Sequence, residues 1–262
     1  MKYEDIEAVN FSTLKAMAVS PLAYHYATQM PRQDTPAMLL GRAVHCAVLE
    51  PEAFDDRFLV YPGRRAGKDW KEFKAKYPGA EIIKPEQRIL ALNIRDAVRS
   101  NPEAMKYLTG GVAEASLEWD AGNGIRAKGR VDYIQPGTLV ELKTTRTIDA
   151  RRFYADAARK FYHVQMPWYQ WGATDSGFDV SNVVMIRVQN EAPFDVIVDK
   201  VPLAVLAEGE TVYMQWLDRL AECLESDTWP GIQPEEGEYQ LPAWAKAEED
   251  TTLIIGGQEY AL

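Results

Sequence analysis

Between Ala115 and Lys143 the apolar residues of this chain recur at every second position, and on both sides of that stretch they recur at helical spacing. Such a change of period constrains the fold more than composition does. Alternation sets one face of a strand against a core, whereas a spacing of three or four sets one stripe of a helix there. Ala115–Trp119, Ile125–Ile134 and Leu139–Lys143 are therefore predicted strands, the last two joined by the turn sequence Gln135-Pro136-Gly137-Thr138. Upstream, Ser12 and Ser20-Pro21 are start signals for two short helical turns, Thr13–Ala18 and Pro21–Thr28. Thr35-Pro36 opens a helix that stops at Glu50 before Pro51, and Glu86–Ser100 carries Ile89, Leu90, Ile94 and Val98 along one face. Downstream, Asp149–Gly172 is a predicted helix, Val183–Val188 and Pro193–Val198 are predicted strands, and a last helix runs near Leu203–Leu224. Helices before and after a small sheet indicate the α/β class rather than a doubly wound repeat.

No internal repeat or low-complexity linker divides the 262 residues, and 47% hydrophobic residues suffice for one core. The expected organisation is one domain: a helical part over 1–110, a sheet-and-helix part over 111–225 and an acidic extension over 226–262. Acids stand at the N-terminus where a secretory signal has bases, and no apolar run approaches the roughly 18 residues of a membrane helix, so the expectation is a cytoplasmic protein. Two separated cysteines, Cys46 and Cys223, form no CxxC and exclude a zinc ribbon, a disulfide framework or a four-cysteine iron–sulfur cluster. Any metal must then be held mainly by oxygen. The formal charge of −10 is local: Glu208 to Asp250 holds twelve acids against two bases, and the rest of the chain sums to zero. Within that neutral remainder Arg57–Lys76 has seven bases and two acids. A run of this kind is either a solvated face or a phosphate-binding surface.

The chemistry lies in the central hairpin. A loop symmetric about Pro136-Gly137 makes partner numbers sum to 273, so Asp132 faces Glu141 with Cβ atoms about 4.5–5.5 Å apart. Two acids facing each other repel unless a cation lies between them. On that ground Asp132→Ala is expected to raise the melting temperature in metal-free buffer. Lys143 emerges beside Glu141, while Val140 and Leu142 point to the other face. A hard divalent cation suits two carboxylates with carbonyl or water oxygens, but the same residues also fit a solvated polar face with a Glu–Lys pair. His45, on an otherwise apolar helix, is either a metal ligand or a satisfied core histidine. Gln165 and Tyr169 share one helical face.

In order, Gly41-Arg42-Ala43-Val44-His45, Gly129-Arg130-Val131-Asp132-Tyr133-Ile134, Glu141-Leu142-Lys143-Thr144-Thr145 and Gln165-x-x-x-Tyr169 resemble the RecB-like branch of the PD-(D/E)XK nuclease superfamily. Leu49-Glu50-Pro51, Phe161-Tyr162-His163-Val164-Gln165, Phe11-Ser12-x-Leu14, Ser20-Pro21-x-x-Tyr24 and Leu241-Pro242-x-Trp244 are similar to the phage and prophage RecE-type (exonuclease VIII-like) exonucleases. The resemblance implies a restriction-endonuclease-like core, a central mixed β-sheet flanked by helices. It implies His45, Asp132, Glu141 and the backbone carbonyl of Leu142 as metal ligands and Lys143 as the catalytic lysine. Gln165 and Tyr169 would support the site, and Glu114 matches an acid preceding the sheet. It further implies Mg²⁺ or Mn²⁺, two ions per site, and digestion of linear double-stranded DNA from 5′ ends without ATP. The implied assembly is a homo-oligomeric ring, trimer or tetramer with the tetramer favoured, alongside a RecT-type annealing protein. Arg64 and Arg65, beside Gly63 and Gly67 in a loop, are candidates for the 5′ phosphate because guanidinium groups donate paired hydrogen bonds. Lys68, Arg146, Arg151 and Arg152, with Lys160, are candidates for backbone phosphates. Competing readings are a structure-specific or repair endonuclease of the same superfamily, a non-catalytic DNA-binding subunit, and a metal-stabilised protein with no nucleic-acid role. The acidic Glu208–Asp250 segment is expected to lie away from any DNA path.

Overall fold

Polar side chains cap several helices at the positions the sequence marks. Ser20 Oγ accepts from Ala23 N at 3.1 Å and Thr35 Oγ1 from Met38 N at 3.2 Å, each followed by a proline that has no N–H to leave unpaired. The computed structural model describes residues 3–30, 34–232, 241–242, 245, 252–256 and 258–261. In chain order the strands are β1 Val9–Asn10, β2 Phe58–Val60, β3 Glu81–Ile83, β4 Val112–Asp120, β5 Arg126–Gln135, β6 Thr138–Thr145, β7 Asn182–Gln189, β8 Val196–Lys200, β9 Thr252–Ile255 and β10 Gln258–Ala261. The helices are α1 Phe11–Leu14, α2 Pro21–Gln29, α3 Pro36–Leu49, α4 Phe54–Arg57, α5 Lys68–Lys76, α6 Pro85–Arg99, α7 Pro102–Met105, α8 Ala150–Arg159, α9 Tyr162–Asp175 and α10 Leu203–Ser226. Two compact units result, Met1–Gly231 and Ile232–Leu262. The second holds the antiparallel pair β9 and β10.

The first unit is built on a mixed six-stranded sheet. β1 joins β5 in parallel, β4 and β6 join β5 antiparallel, β7 joins β6 in parallel and β8 closes the far edge antiparallel. Each face of the sheet has its own core. α1, α2, α8, α9 and α10 bury Leu14, Trp168, Leu217 and Leu220 on one, and α3, α6 and α7 bury Val44, Ile94 and Val98 on the other, where Val140 and Leu142 of β6 meet them. Each such aliphatic side chain contributes about 1.5–3 kcal/mol. α9 and α10 cross closely at Gly209, where a Cβ would lie 1.9 Å from the His163 carbonyl oxygen. That carbonyl is the one Pro167 cannot satisfy within α9, since proline lacks the donor four residues on.

Four local expectations change. The single helix over Asp149–Gly172 is two helices, because Phe161 takes left-handed backbone (φ 61°, ψ 34°) and turns the chain between α8 and α9. The turn over Thr13–Ala18 is α1 followed by a 3-10 turn, Lys15–Ala18. The strand predicted from Pro193 begins at Val196, since Phe194 at φ 63° belongs to the preceding turn. The Arg57–Lys76 run contains α5, and the short parallel pair β2–β3 flanks it; three-residue strands are too brief to show a period. Trp244 of the RecE-like motif and residues 233–240 and 246–250 of the acidic segment lie outside the described residues.

Candidate active site

β5 ladders along β4 on one edge, but its other edge is shared. β1 reaches only Ala127 and Lys128, and β6 pairs only through Tyr133↔Val140, Ile134↔Leu139 and Gln135↔Thr138. Those three pairs keep the register read from the turn. The next position is Asp132 opposite Glu141, and there the strands part. Asp132 Oδ2 accepts the Leu142 N–H at 2.7 Å, so a carboxylate replaces a ladder bond. The β4 side is interrupted at the same row: Ala113↔Tyr133 and Ala115↔Val131 pair, and between them Glu114 sits at φ 49°. Glu114, Asp132 and Glu141 thus form one row across three strands. This is no solvated face, since Asp132 is 8% exposed and Glu141 is fully buried.

Cations from two elements close on the row. His45 projects from α3 with Nδ1 3.2 Å from Asp132 Oδ1 and 3.8 Å from Glu114 Oε1. Lys143 Nζ donates to Glu141 Oε2 at 2.5 Å. Burial alone would lower the His45 pKa, but the Asp132 charge and hydrogen bonds to Asp132 and Glu114 overcome it and push it up to about 10. Asp132, against the effect of burial, is held down at about 2 by His45, Lys143 and the Leu142 N–H. Burial and then the Asp132 charge push Glu141 up to about 7 in spite of Lys143. Lys143, although buried, stays above the ordinary lysine value because Glu141 and Asp132 favour its cation. The expectation that removing Asp132 stabilises the metal-free protein is therefore corrected: its charge is already matched by His45 and Lys143.

One ligand atom each from His45, Glu114 and Asp132 lies within 4.8 Å of the others. Glu141 Oε1 is buried with no hydrogen-bond partner among the described residues. An orphaned buried carboxylate oxygen beside an imidazole and two further carboxylates is a donor set that fits a hard or borderline divalent cation. Glu114, the least specific of the sequence candidates, belongs to the tightest group, while Glu141 stands outside it, engaged by Lys143. Leu142 lies in the β6–β7 ladder with its side chain fully buried.

α9 supplies the opposite wall. Gln165 Nε2 donates to the Tyr169 hydroxyl at 3.1 Å, and burial together with the Glu141 charge raises the Tyr169 pKa, so the hydroxyl keeps its proton. The Tyr169 ring packs on the backbone of Gly129, where a Cβ would lie 2.9 Å from it. Two contributors had no role assigned from sequence. The Tyr162 ring centroid lies 4.8 Å from Lys143 Nζ, brought there by the turn at Phe161. Lys15 has its pKa lowered by burial and by the Lys143 charge. Tyr162 belongs to the Phe161-Tyr162-His163-Val164-Gln165 motif, and no pattern in the sequence marks Lys15.

Of the basic candidates Lys160 meets the site, its Nζ 5.8 Å from the Tyr162 ring centroid, and the others are spread over the surface. Arg64 and Arg65 are exposed in the loop before α5, yet the Arg65 guanidinium donates to Ile82 O at 2.7 Å and lies over Trp70. Exposed Lys68 is 3.6 Å from Glu72 one turn on. Arg146 follows β6, and Arg151 and Arg152 line an open surface hollow on α8 with Arg159 and Asp156; all three are exposed.

Among solved structures, one similar in fold is a protein assigned as an exonuclease from Eubacterium rectale, 15% identical, covering 90% of each chain with a TM-score of 0.60. A phage-related exonuclease from Haemophilus somnus 129PT is 7% identical over 87% of this chain and 100% of its own, with a TM-score of 0.37. The alkaline exonuclease LHK-Exo from Laribacter hongkongensis is 15% identical over 71% and 91%, with a TM-score of 0.32. No curated protein matches the sequence. Among the described residues no helix is long and apolar enough to cross a membrane. The mixed sheet flanked by helices is the expected PD-(D/E)XK-like α/β fold. Residues 10–240 match one family throughout, and the chain belongs to it: the PDDEXK-like domains of unknown function, DUF3799.

Proposed function

We propose that this chain is a divalent-metal-dependent nuclease that digests linear double-stranded DNA from 5′ ends without ATP, leaving 3′ single strands for recombination by annealing. The row Glu114–Asp132–Glu141, with His45 and Lys143 closing on it, carries the reading. Their side chains are only 18%, 12% and 1% exposed. His45 and Lys143 match two of these charges, and burying the third, when all three carboxylates are ionised, costs several kcal/mol unless a further cation shares the site.

His45, Glu114 and Asp132 would hold the cation, with Glu141 and the Leu142 carbonyl as further donors. Bound there, Mg²⁺ or Mn²⁺, as one ion or two, supplies the charge that offsets a phosphodiester and acidifies a water. Lys143, held above the ordinary lysine value by Glu141 and Asp132, would act as a donor: it orients a water and stabilises charge building on the phosphate oxygens. Tyr169, held by Gln165, offers a second fixed donor on the α9 side. The RecE-like motifs and the exposed Arg64, Arg65, Lys68, Arg146, Arg151 and Arg152 support a reading in which backbone phosphates are held without base readout. A ring of three or four copies, a RecT-type partner and a cytoplasmic setting are parts of the same proposal.

The test compares linear with covalently closed duplex DNA, with and without Mg²⁺ and without ATP, by gel and by acid-soluble nucleotide release. Metal-dependent release from linear DNA alone is expected. Nicking of closed circles would replace the exonuclease by an endonuclease, and no cleavage of either would sink the reading. A monomeric mass by light scattering would remove the ring.

A further inference from the structure

A cavity of about 600 Å³ lies between α8, α9, the end of β8 and the start of α10. Two of its lining residues reach the site already described. Tyr162 lines it and also places its ring 4.8 Å from Lys143 Nζ. Met185 lines it and is the register partner of Glu141 across the β6–β7 ladder. The cavity is thus one side chain away from the catalytic row at two separate points. The left-handed backbone of Phe161 makes the turn that sets Tyr162 between them, and a bulky non-glycine residue in that region costs of order 1–3 kcal/mol, as is common where a functional geometry is held.

We propose that this cavity receives one unstacked nucleobase of the strand whose phosphodiester lies at Lys143, an inference that rests on the nuclease reading. A phosphodiester at Lys143 carries a nucleoside on either side, and one of them must go where the protein leaves room. The walls suit a base. Phe153, Tyr162, Met166 and Met185 present aromatic and thioether surface for a flat ring, as in sites that hold extruded bases. The charged lining, Asp199 and Glu208 with Lys200, is close to balanced, and Asp199 is already paired with Arg187, so nothing in the cavity draws a phosphate away from Lys143 while the neutral ring enters. Asp199 is fixed by Arg187 at 2.7 Å and by the Tyr154 hydroxyl at 3.0 Å, which keeps this wall rigid. The volume lies within the roughly 300–1,000 Å³ of small-molecule sites and takes purines and pyrimidines alike, so no base preference is expected.

The test uses the full chain and two probes, dAMP and deoxyribose 5-phosphate, titrated calorimetrically in metal-free buffer. dAMP should bind at least about tenfold more tightly, the scale of one stacked base. Ala158→Trp and Val205→Trp, both at exposed positions of the lining, should fill the cavity and abolish that ratio, leaving deoxyribose phosphate binding and melting temperature unchanged. In cleavage, a linear duplex with a terminal abasic residue should react at least about tenfold more slowly than its normal counterpart in the wild type and at the same rate as that counterpart in the filled variants. Equal binding of the two probes, or an unchanged ratio in both filled variants, overturns the proposal and leaves the cavity to an apolar side chain of another polypeptide. If wild type cleaves neither duplex the nuclease reading fails, while the binding ratio still decides the cavity.

Discussion

Replacing Lys143 by methionine keeps most of its volume and removes the cation that Glu141 Oε2 meets at 2.5 Å. Breaking a buried ion pair from one side costs about 3–5 kcal/mol, because the other charge stays behind without its partner. Glu141 has an escape, since its folded pKa is already pushed up to about 7 from 4.5 and rises further without Lys143. A carboxyl whose folded pKa is raised favours the folded state in its protonated form; that stability is complete below about 4.5 and is lost as pH rises through the folded value. The variant should therefore be close to wild type at pH 5.5, where Glu141 takes a proton, and about 2 kcal/mol less stable at pH 8. Each pH unit over which one proton is lost supplies at most about 1.4 kcal/mol; the variant can lose this over the whole interval, whereas the wild type, with Glu141 at about 7, loses it only from about pH 7. At about 2–4 °C per kcal/mol for a chain of this size, the pH 8 deficit reads as roughly 4–8 °C in a thermal melt with EDTA. Adding Glu141→Gln removes both charges and should recover most of the loss. An equal deficit at pH 5.5 and pH 8, or a double variant no better than the single one, would refute the ion-pair account.

Asp132→Ala in metal-free buffer should lower stability by about 1–3 kcal/mol, because the Leu142 N–H loses its acceptor, and the His45 ring should titrate well below about 10 by NMR. In the wild type without metal, the raised His45 pKa implies stability that is complete below about 6.5 and lost as pH rises through about 10, which melts between pH 6 and 10 would show. Mn²⁺ should raise the wild-type melting temperature in a concentration-dependent way, and Glu114→Gln should weaken that response while leaving the metal-free melt nearly unchanged. Gly129→Ala, with its Cβ 2.9 Å from the Tyr169 ring, should cost about 1–3 kcal/mol by overpacking and lower activity through Tyr169. Arg64→Ala or Arg65→Ala should reduce preference for 5′-phosphorylated over 5′-hydroxyl ends more than general DNA affinity; for Arg65 part of any loss in stability reflects its bond to Ile82 O.

What could be read in advance divides by the range over which the signal acts. The hairpin register followed from its two-residue turn, because Pro136 and Gly137 (φ 80°) leave the flanking strands little choice, and the pairs Tyr133↔Val140 to Gln135↔Thr138 keep it. α3, α6 and α10 were legible because caps and apolar stripes are local. The fork after Tyr133↔Val140 was not, since β6 leaves β5 to follow β7, and that partner comes some forty residues later in the chain. For the same reason the hairpin alone shows Asp132 and Glu141 as two facing acids: His45, which meets Asp132, comes from a helix far upstream, and only the resemblance ties it to them. Tyr162 was hidden by one residue, because a helical period runs smoothly through Phe161 and nothing in it marks the left-handed turn.

The irregular points of the sheet coincide with its charged ones. β5 loses its ladder toward β6 at Asp132, and β4 departs from extended backbone at Glu114, directly across from it. Each departure sacrifices backbone pairing, and the φ of 49° at Glu114 adds strain of order 1–3 kcal/mol. A sheet that served only as scaffold could close both gaps with apolar residues and gain stability. Here the helices on both faces reach the irregular row and its flank: His45 on α3 meets both acids, and Tyr169 on α9 packs on Gly129, a position where any side chain would collide. The two helical layers therefore do more than bury the sheet: α3 contributes the imidazole that meets the two acids where the ladder is broken, and α9 contributes the Tyr169 ring that packs beside them.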